Sequence, residues 1–160
     1  MKMITNENNI SITDFLNSTI FNSFNVKIPT GYISLLVDTH SIIPAFRFNL
    51  LTIISSIIMF SDVSFSGIIP GLFLVVYAIL VRLFAPLLFG GVFNQGDIIL
   101  ALLTSGTLFT AVFLLQWFGT IPVSITGRII YGILCGIIAF FVVGAGTAPV
   151  GMVYTVLICN

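Results

Sequence analysis

Between Phe48 and Asn160 only four side chains carry a charge, Asp62, Arg82, Asp97 and Arg128. They divide the chain into uncharged runs at 48–61, 63–81, 83–96, 98–127 and 129–160. About 20 apolar residues suffice for one bilayer crossing. Of the 160 residues 58% are hydrophobic and 6% charged, against about 25% charged in a soluble domain. Too few charges remain to build a water-facing surface, so the expected solvent is lipid and the expected fold is all-α and polytopic. A net formal charge of zero argues against nucleic acid or an acidic substrate as partner.

Glycine, proline and polar clusters punctuate the apolar runs into about five expected transmembrane helices. These are placed at roughly 44–60, 67–89, 98–117, 128–143 and 148–160. Pro44 and Pro70 fall where a first helical turn tolerates proline, and Gly90, Gly91 and Gly119 fall just past helix ends. The last span is short and stops at Asn160, so the chain looks cut off at its C-terminus. Residues 1–41 form a polar, amphipathic leading segment ahead of a transmembrane domain over 42–160. The segment holds Lys2, Glu7, Asp14, Lys27 and Asp38, with six asparagines at 6, 8, 9, 17, 22 and 25. Phe15, Leu16, Ile20, Phe21 and Phe24 give it one apolar helical face, which predicts a helix lying on the membrane surface. It is not a signal peptide, because no cationic start leads into an apolar stretch. Lys2 and Lys27 favour a cytoplasmic N-terminus and Arg128 votes the other way.

Arg82 is the most conspicuous charge, two-thirds along the second span. Pro86 cannot donate to its carbonyl, which predicts a kink, and an intramembrane arginine is a candidate functional residue. Arg47 reads as an interfacial anchor, while Asp62, Asp97 and Arg128 fall in expected loops. Gly132 and Gly136, beside Cys135 and Ala139, make a small-xxx-small face for close helix packing. Thr104-Ser105-Gly106-Thr107 is a polar patch whose hydroxyls either line a path or bond to the helix's own carbonyls. Cys135 and Cys159 match no metal or redox motif and read as small buried hydrophobes. His40 has no second histidine, so no metal site is expected. No triad, carboxylate pair or phosphate loop is present; catalytic residues are therefore not assigned, and the chain is not an isolated catalyst.

The stretch Leu103-Thr104-Ser105-Gly106-Thr107-Leu108-Phe109 is followed by the loop Thr120-Ile121-Pro122-Val123-Ser124. Then come Gly127-Arg128 and Tyr131-Gly132-Ile133-Leu134-Cys135-Gly136. The closing residues are Pro149, Gly151 and Val153-Tyr154-Thr155-Val156-Leu157-Ile158-Cys159-Asn160. In order and spacing these resemble the D subunit of the Rnf electron-transport complex. The B subunit of the sodium-translocating NADH:quinone reductase belongs to the same family. Two departures stand out: Trp117-Phe118 replace the family's Asp-Pro, and Val150 replaces an acid, so no role of those acids carries over.

The resemblance implies the C-terminal half of a membrane subunit in an ion-translocating, ferredoxin:NAD-type oxidoreductase of the bacterial cytoplasmic (inner) membrane. It implies one half of an inverted repeat similar to urea and ammonium transporters. The partners would be the other membrane subunits of an Rnf-type complex and the lipid bilayer. The family carries flavin mononucleotide (FMN) on the threonine of a Ser-Gly-Ala-Thr motif, which is absent here, so FMN is not expected to be covalently bound to this chain. Met1-Lys2-Met3-Ile4 resembles the run that follows that motif. The resemblance also puts the N-terminal segment outside and Arg128 on the cytoplasmic side. The alternative function is half of a small-solute transporter or channel that forms its pore by oligomerisation.

Overall fold

The computed structural model describes residues 7–19, 29–39, 41–61, 66–88, 91–116, 121–144, 148 and 150–160. Among these all regular structure is helical: α1 (Glu7–Thr19), α2 (Thr30–Val37), α3 (Asn49–Phe60), α4 (Ile68–Leu88), α5 (Ile98–Leu103), α6 (Thr107–Phe109), α7 (Ile125–Val143) and α8 (Gly151–Cys159). Ile20, Phe21, Phe24, Lys2, Lys27, His40, Asp62, Gly90, Gly119 and the Trp117-Phe118 departure lie outside the described residues.

The core is the pairing of α4 with α7. On α4 the buried residues Ile69, Phe73, Tyr77, Val81 and Ala85 recur every fourth position, which lines them along one side of a 3.6-residue helix. The facing side of α7 carries Gly132, Cys135, Gly136, Ala139, Phe140 and Val143. A Cβ on Gly132 would stand 3.1 Å from both the Ile69 carbonyl oxygen and Leu72 Cβ. On Gly136 it would stand 3.0 Å from Val76 Cβ and 3.1 Å from the Phe73 carbonyl oxygen. The missing side chains let the two backbones approach, as in membrane helix pairs generally. Outward, Val75, Ile79, Leu134 and Phe141 leave an apolar surface, with Phe141 80% exposed.

Two helices, over Ile68–Leu87 and Ile125–Val143, are long and apolar enough to cross a membrane. Where the expected spans and the helices differ, the reasons are local. The first is not helical from residue 44: Pro44–Phe46 form a 3-10 turn and α3 starts at Asn49. Thr39 takes the carbonyls that a continuous helix would use, its N–H donating to Arg47 O (3.0 Å) and its hydroxyl to Phe46 O (2.8 Å). The third span is broken after Leu103. The fourth begins at Ile125 rather than 128, because Ser124 Oγ accepts the Gly127 N–H at 3.1 Å and caps the helix there. Arg128 therefore sits in the first turn of α7, not in a loop, and its Nε donates to Pro122 O at 3.1 Å.

Leucine at Gly136 would have to displace the α4 backbone, at a cost of about 1–3 kcal/mol for overpacking. Gly136→Leu and Gly132→Leu should each lower the thermal midpoint of the chain in detergent, whereas the volume-conserving Ile137→Leu should leave it nearly unchanged. Equal shifts at all three positions would show that α4 and α7 do not pack closely.

Candidate functional site

The site is built where α5 stops. Asp97 opens that helix as its N-cap, Oδ1 accepting the Leu100 N–H at 3.1 Å. Six residues later the helix ends, and Ser105 and Gly106 both take positive φ, 58° and 69°. Gly106 has a second reason to be glycine, since a Cβ there would stand 2.1 Å from Cγ of the buried Phe46 ring. Phe46 in turn packs on Phe109 at 5.7 Å between ring centroids. The chain resumes as α6 and widens into a π turn over Thr110–Leu114, closed by Leu115 N–H on Thr110 O at 2.9 Å.

A break inside an apolar bundle frees peptide carbonyls, and each must find a donor. Thr104 Oγ1 donates back to Leu100 O at 2.7 Å. Thr107 Oγ1 lies 3.1 Å from both Ala101 O and Thr104 O. Leu103 O is reached from another element: Asn49 Nδ2 donates to it at 2.6 Å and to Leu35 O at 3.0 Å. Asn49 is 1% exposed. The two threonine hydroxyls of the polar patch are thus spent on backbone carbonyls, one of the two uses open from the sequence. Further along, Tyr77 Oη donates to Gly144 O at 3.1 Å. Two buried polar atoms of the same segment, Thr110 Oγ1 and Gln116 Nε2, have no partner among the described residues.

Arg82 stands at one edge of this region. Helix α4 runs on through Pro86 to Leu88, and the carbonyl that Pro86 cannot serve accepts the Gly96 N–H at 3.2 Å. The guanidinium of Arg82 completes the clasp, NH1 donating to Gly96 O at 3.1 Å and Nε to Asn94 Oδ1 at 3.2 Å. A Cβ on Gly96 would meet Val81 O at 2.1 Å, so only glycine fits there. Arg82 itself remains exposed. It fastens the α4–α5 connection.

Asp97 and Arg47 are both engaged. Tyr32 Oη donates to Asp97 Oδ2, tying α2 to the start of α5. Arg47 holds Asp38 through Nε (2.8 and 2.9 Å) and NH2 (2.7 Å), and this exposed fork spans the turn ahead of α3. Sequence reading missed Asn49, Thr110, Gln116 and Tyr32. A buried asparagine opening an apolar helix was the one available signal.

A helical chain with two membrane-length apolar helices packed through glycines, and a third interrupted within the bundle, is the kind of protein these features define. A model of the NQR2, RnfD, RnfE family matches residues 2–160, and the chain belongs to that family of membrane subunits of ion-translocating oxidoreductases. No curated protein and no solved structure matches it.

Replacing Asn49 with leucine would leave the Leu35 and Leu103 carbonyls without that donor, at about 1–3 kcal/mol for buried groups left unsatisfied. Asn49→Leu should therefore lower the thermal midpoint and raise protease sensitivity around residues 103–106; an unchanged midpoint would show that the bridge contributes nothing. Asp97 raises the Tyr32 hydroxyl above the ordinary tyrosine pKa, first through the hydrogen bond and then through burial and charge. A group with a raised folded pKa contributes its full stability below its unfolded value and loses it as pH climbs through the folded one. Stability of the chain should thus fall above about pH 10, and Tyr32→Phe should flatten that alkaline decline. An identical decline in the variant would exclude Tyr32 as its source.

Proposed function

We propose that this chain acts as a membrane subunit of an Rnf-type complex that couples electron transfer of the ferredoxin:NAD kind to ion movement across the bacterial cytoplasmic membrane. The observation that carries the reading is the family match over residues 2–160. It is supported by the motif order from Leu103 through Gly136. Its role is to supply helices to the membrane bundle and a surface to the neighbouring subunits. Residues 1–41 serve as the interfacial segment and 42–160 as the membrane domain. Gly132 and Gly136 set the α4–α7 spacing, and Arg82 is a positioning residue for the α4–α5 connection.

FMN does not fit the described threonines of the polar patch. Thr104 and Thr107 are 5% and 0% exposed, and both hydroxyls are committed to backbone carbonyls. A phosphoester link at either would bury a charged phosphate against apolar side chains and strip those carbonyls of their donors. No Ser-Gly-Ala-Thr run occurs in the chain. No step through FMN is assigned to it.

The tagged chain, produced together with the genes beside its own, should stay in the membrane pellet after alkaline carbonate washing and co-purify with other subunits of the complex. Recovery only as a homo-oligomer would favour a pore-forming transporter half instead. Produced with a flavin transferase, the chain should give no fluorescent band on a denaturing gel. A band at its mass would place the cofactor on this chain after all.

A further inference from the structure

Helices α7 and α8 run antiparallel, and two contacts at their ends fix the register. At one end Gly151 approaches Val143 so closely that a Cβ on it would stand 2.8 Å from Val143 Cγ2. At the other, Tyr131 Oη donates to Asn160 Oδ1 at 2.8 Å. Cys135 lies one helical turn beyond Tyr131 on the same side of α7, and Cys159 immediately precedes Asn160. The register therefore brings together two cysteines separated by 24 positions. Cys159 packs against the apolar cluster that holds Cys135. Both are free thiols.

We propose that Cys135 and Cys159 form an oxidisable dithiol whose disulfide staples α8 to α7. The two differ in access, as the two steps of thiol–disulfide exchange require. Cys135 is 1% exposed inside the core. Cys159 is half-buried on the last residue of α8, at the same end as Arg128, Tyr131 and Asn160, where polar groups gather and a water-soluble reagent arrives. The oxidant is an organic disulfide. Cys159 gives up its proton and attacks one sulfur of the reagent, releasing one thiol and leaving a mixed disulfide. Cys135 then gives up its proton and attacks Cys159 Sγ, forming the internal S–S bond and releasing the second thiol. Two S–H bonds are lost, one S–S bond forms, and the two electrons end on the reagent's sulfurs.

A disulfide demands Cβ atoms about 3.5–4.5 Å apart, and the register pinned at Gly151–Val143 and Tyr131–Asn160 sets both cysteines on the seam between α7 and α8. The staple would bind α8, a nine-residue helix, to the α4–α7 core. This inference rests on the α7–α8 register and not on the electron-transport reading above.

The test uses the full chain in membranes, treated with oxidised glutathione, quenched with N-ethylmaleimide under denaturing conditions and weighed intact. The wild type should take up no maleimide, carry no glutathione and have lost two hydrogens, then take up two maleimides after reduction with dithiothreitol. Cys159→Ser should keep Cys135 as a free thiol. Leu157→Cys combined with Cys159→Ser moves the second thiol to the lipid-facing side of α8, where Leu157 is 67% exposed, and should form no internal disulfide in the same time. The proposal is overturned by a wild type that keeps both thiols, stops at the glutathione adduct or links two chains. It is also overturned if the cysteine at 157 closes as fast as Cys159.

Discussion

Asn49 joins three parts of the chain through one amide. It donates to the end of α2 at Leu35 and to the end of α5 at Leu103 while opening α3 itself. In an apolar bundle no water stands ready to serve a carbonyl, so an interrupted helix exists only where the protein brings its own donors. Thr107 serves Ala101 and Thr104 in the same way. The break after Leu103 is thus a tertiary structure, since its carbonyls are satisfied from α3 as well as from the far side of the gap. Among the described residues Thr110 Oγ1 and Gln116 Nε2 remain unspent; Thr110 opens the π turn just beyond the break and Gln116 follows it, and π bulges gather at functional positions.

The α4–α7 pair is the frame on which this break is hung. Its glycines replace side-chain bulk with backbone contact, and the rest of α7 presents Cys135, Ala139 and Val143 to the core. Packing on the π turn and α8 then follows from the shape of that frame. The clasp at Arg82 follows from it too. Pro86 withholds one N–H inside α4, Gly96 supplies the replacement, and the arginine side chain closes over the result. An apparent defect in a helix becomes the attachment point of the next element.

Several features were legible from residue order alone. The charge-poor runs and the four-residue glycine spacing marked apolar helices and a small-residue face. Pro70 fell in the first turn of α4. Resemblance in the second half identified the family that the match over residues 2–160 shows. Boundaries were less legible. Hydropathy cannot see that Thr39 takes the carbonyls of Phe46 and Arg47, so an apolar run from 44 read as helix while the helix starts at 49. Nor does it see that Ser124 caps three residues ahead of Arg128 and draws that arginine into α7.

Composition and periodicity by themselves determined the solvent and the helical class, because burying so few charges and so much apolar surface is a property of the residues wherever they sit. Tertiary structure alone decided the pairings. Cys135 and Cys159 are 24 positions apart and read singly as inert hydrophobes; only the antiparallel register of α7 and α8 sets them on one seam. Arg82 read singly as an intramembrane charge, and only the return of the chain at Gly96 gives its guanidinium a carbonyl to hold. Hydrogen bonds between distant residues depend on distances of a few ångströms that the order of residues does not encode locally, and those distances exist only once the helices have packed.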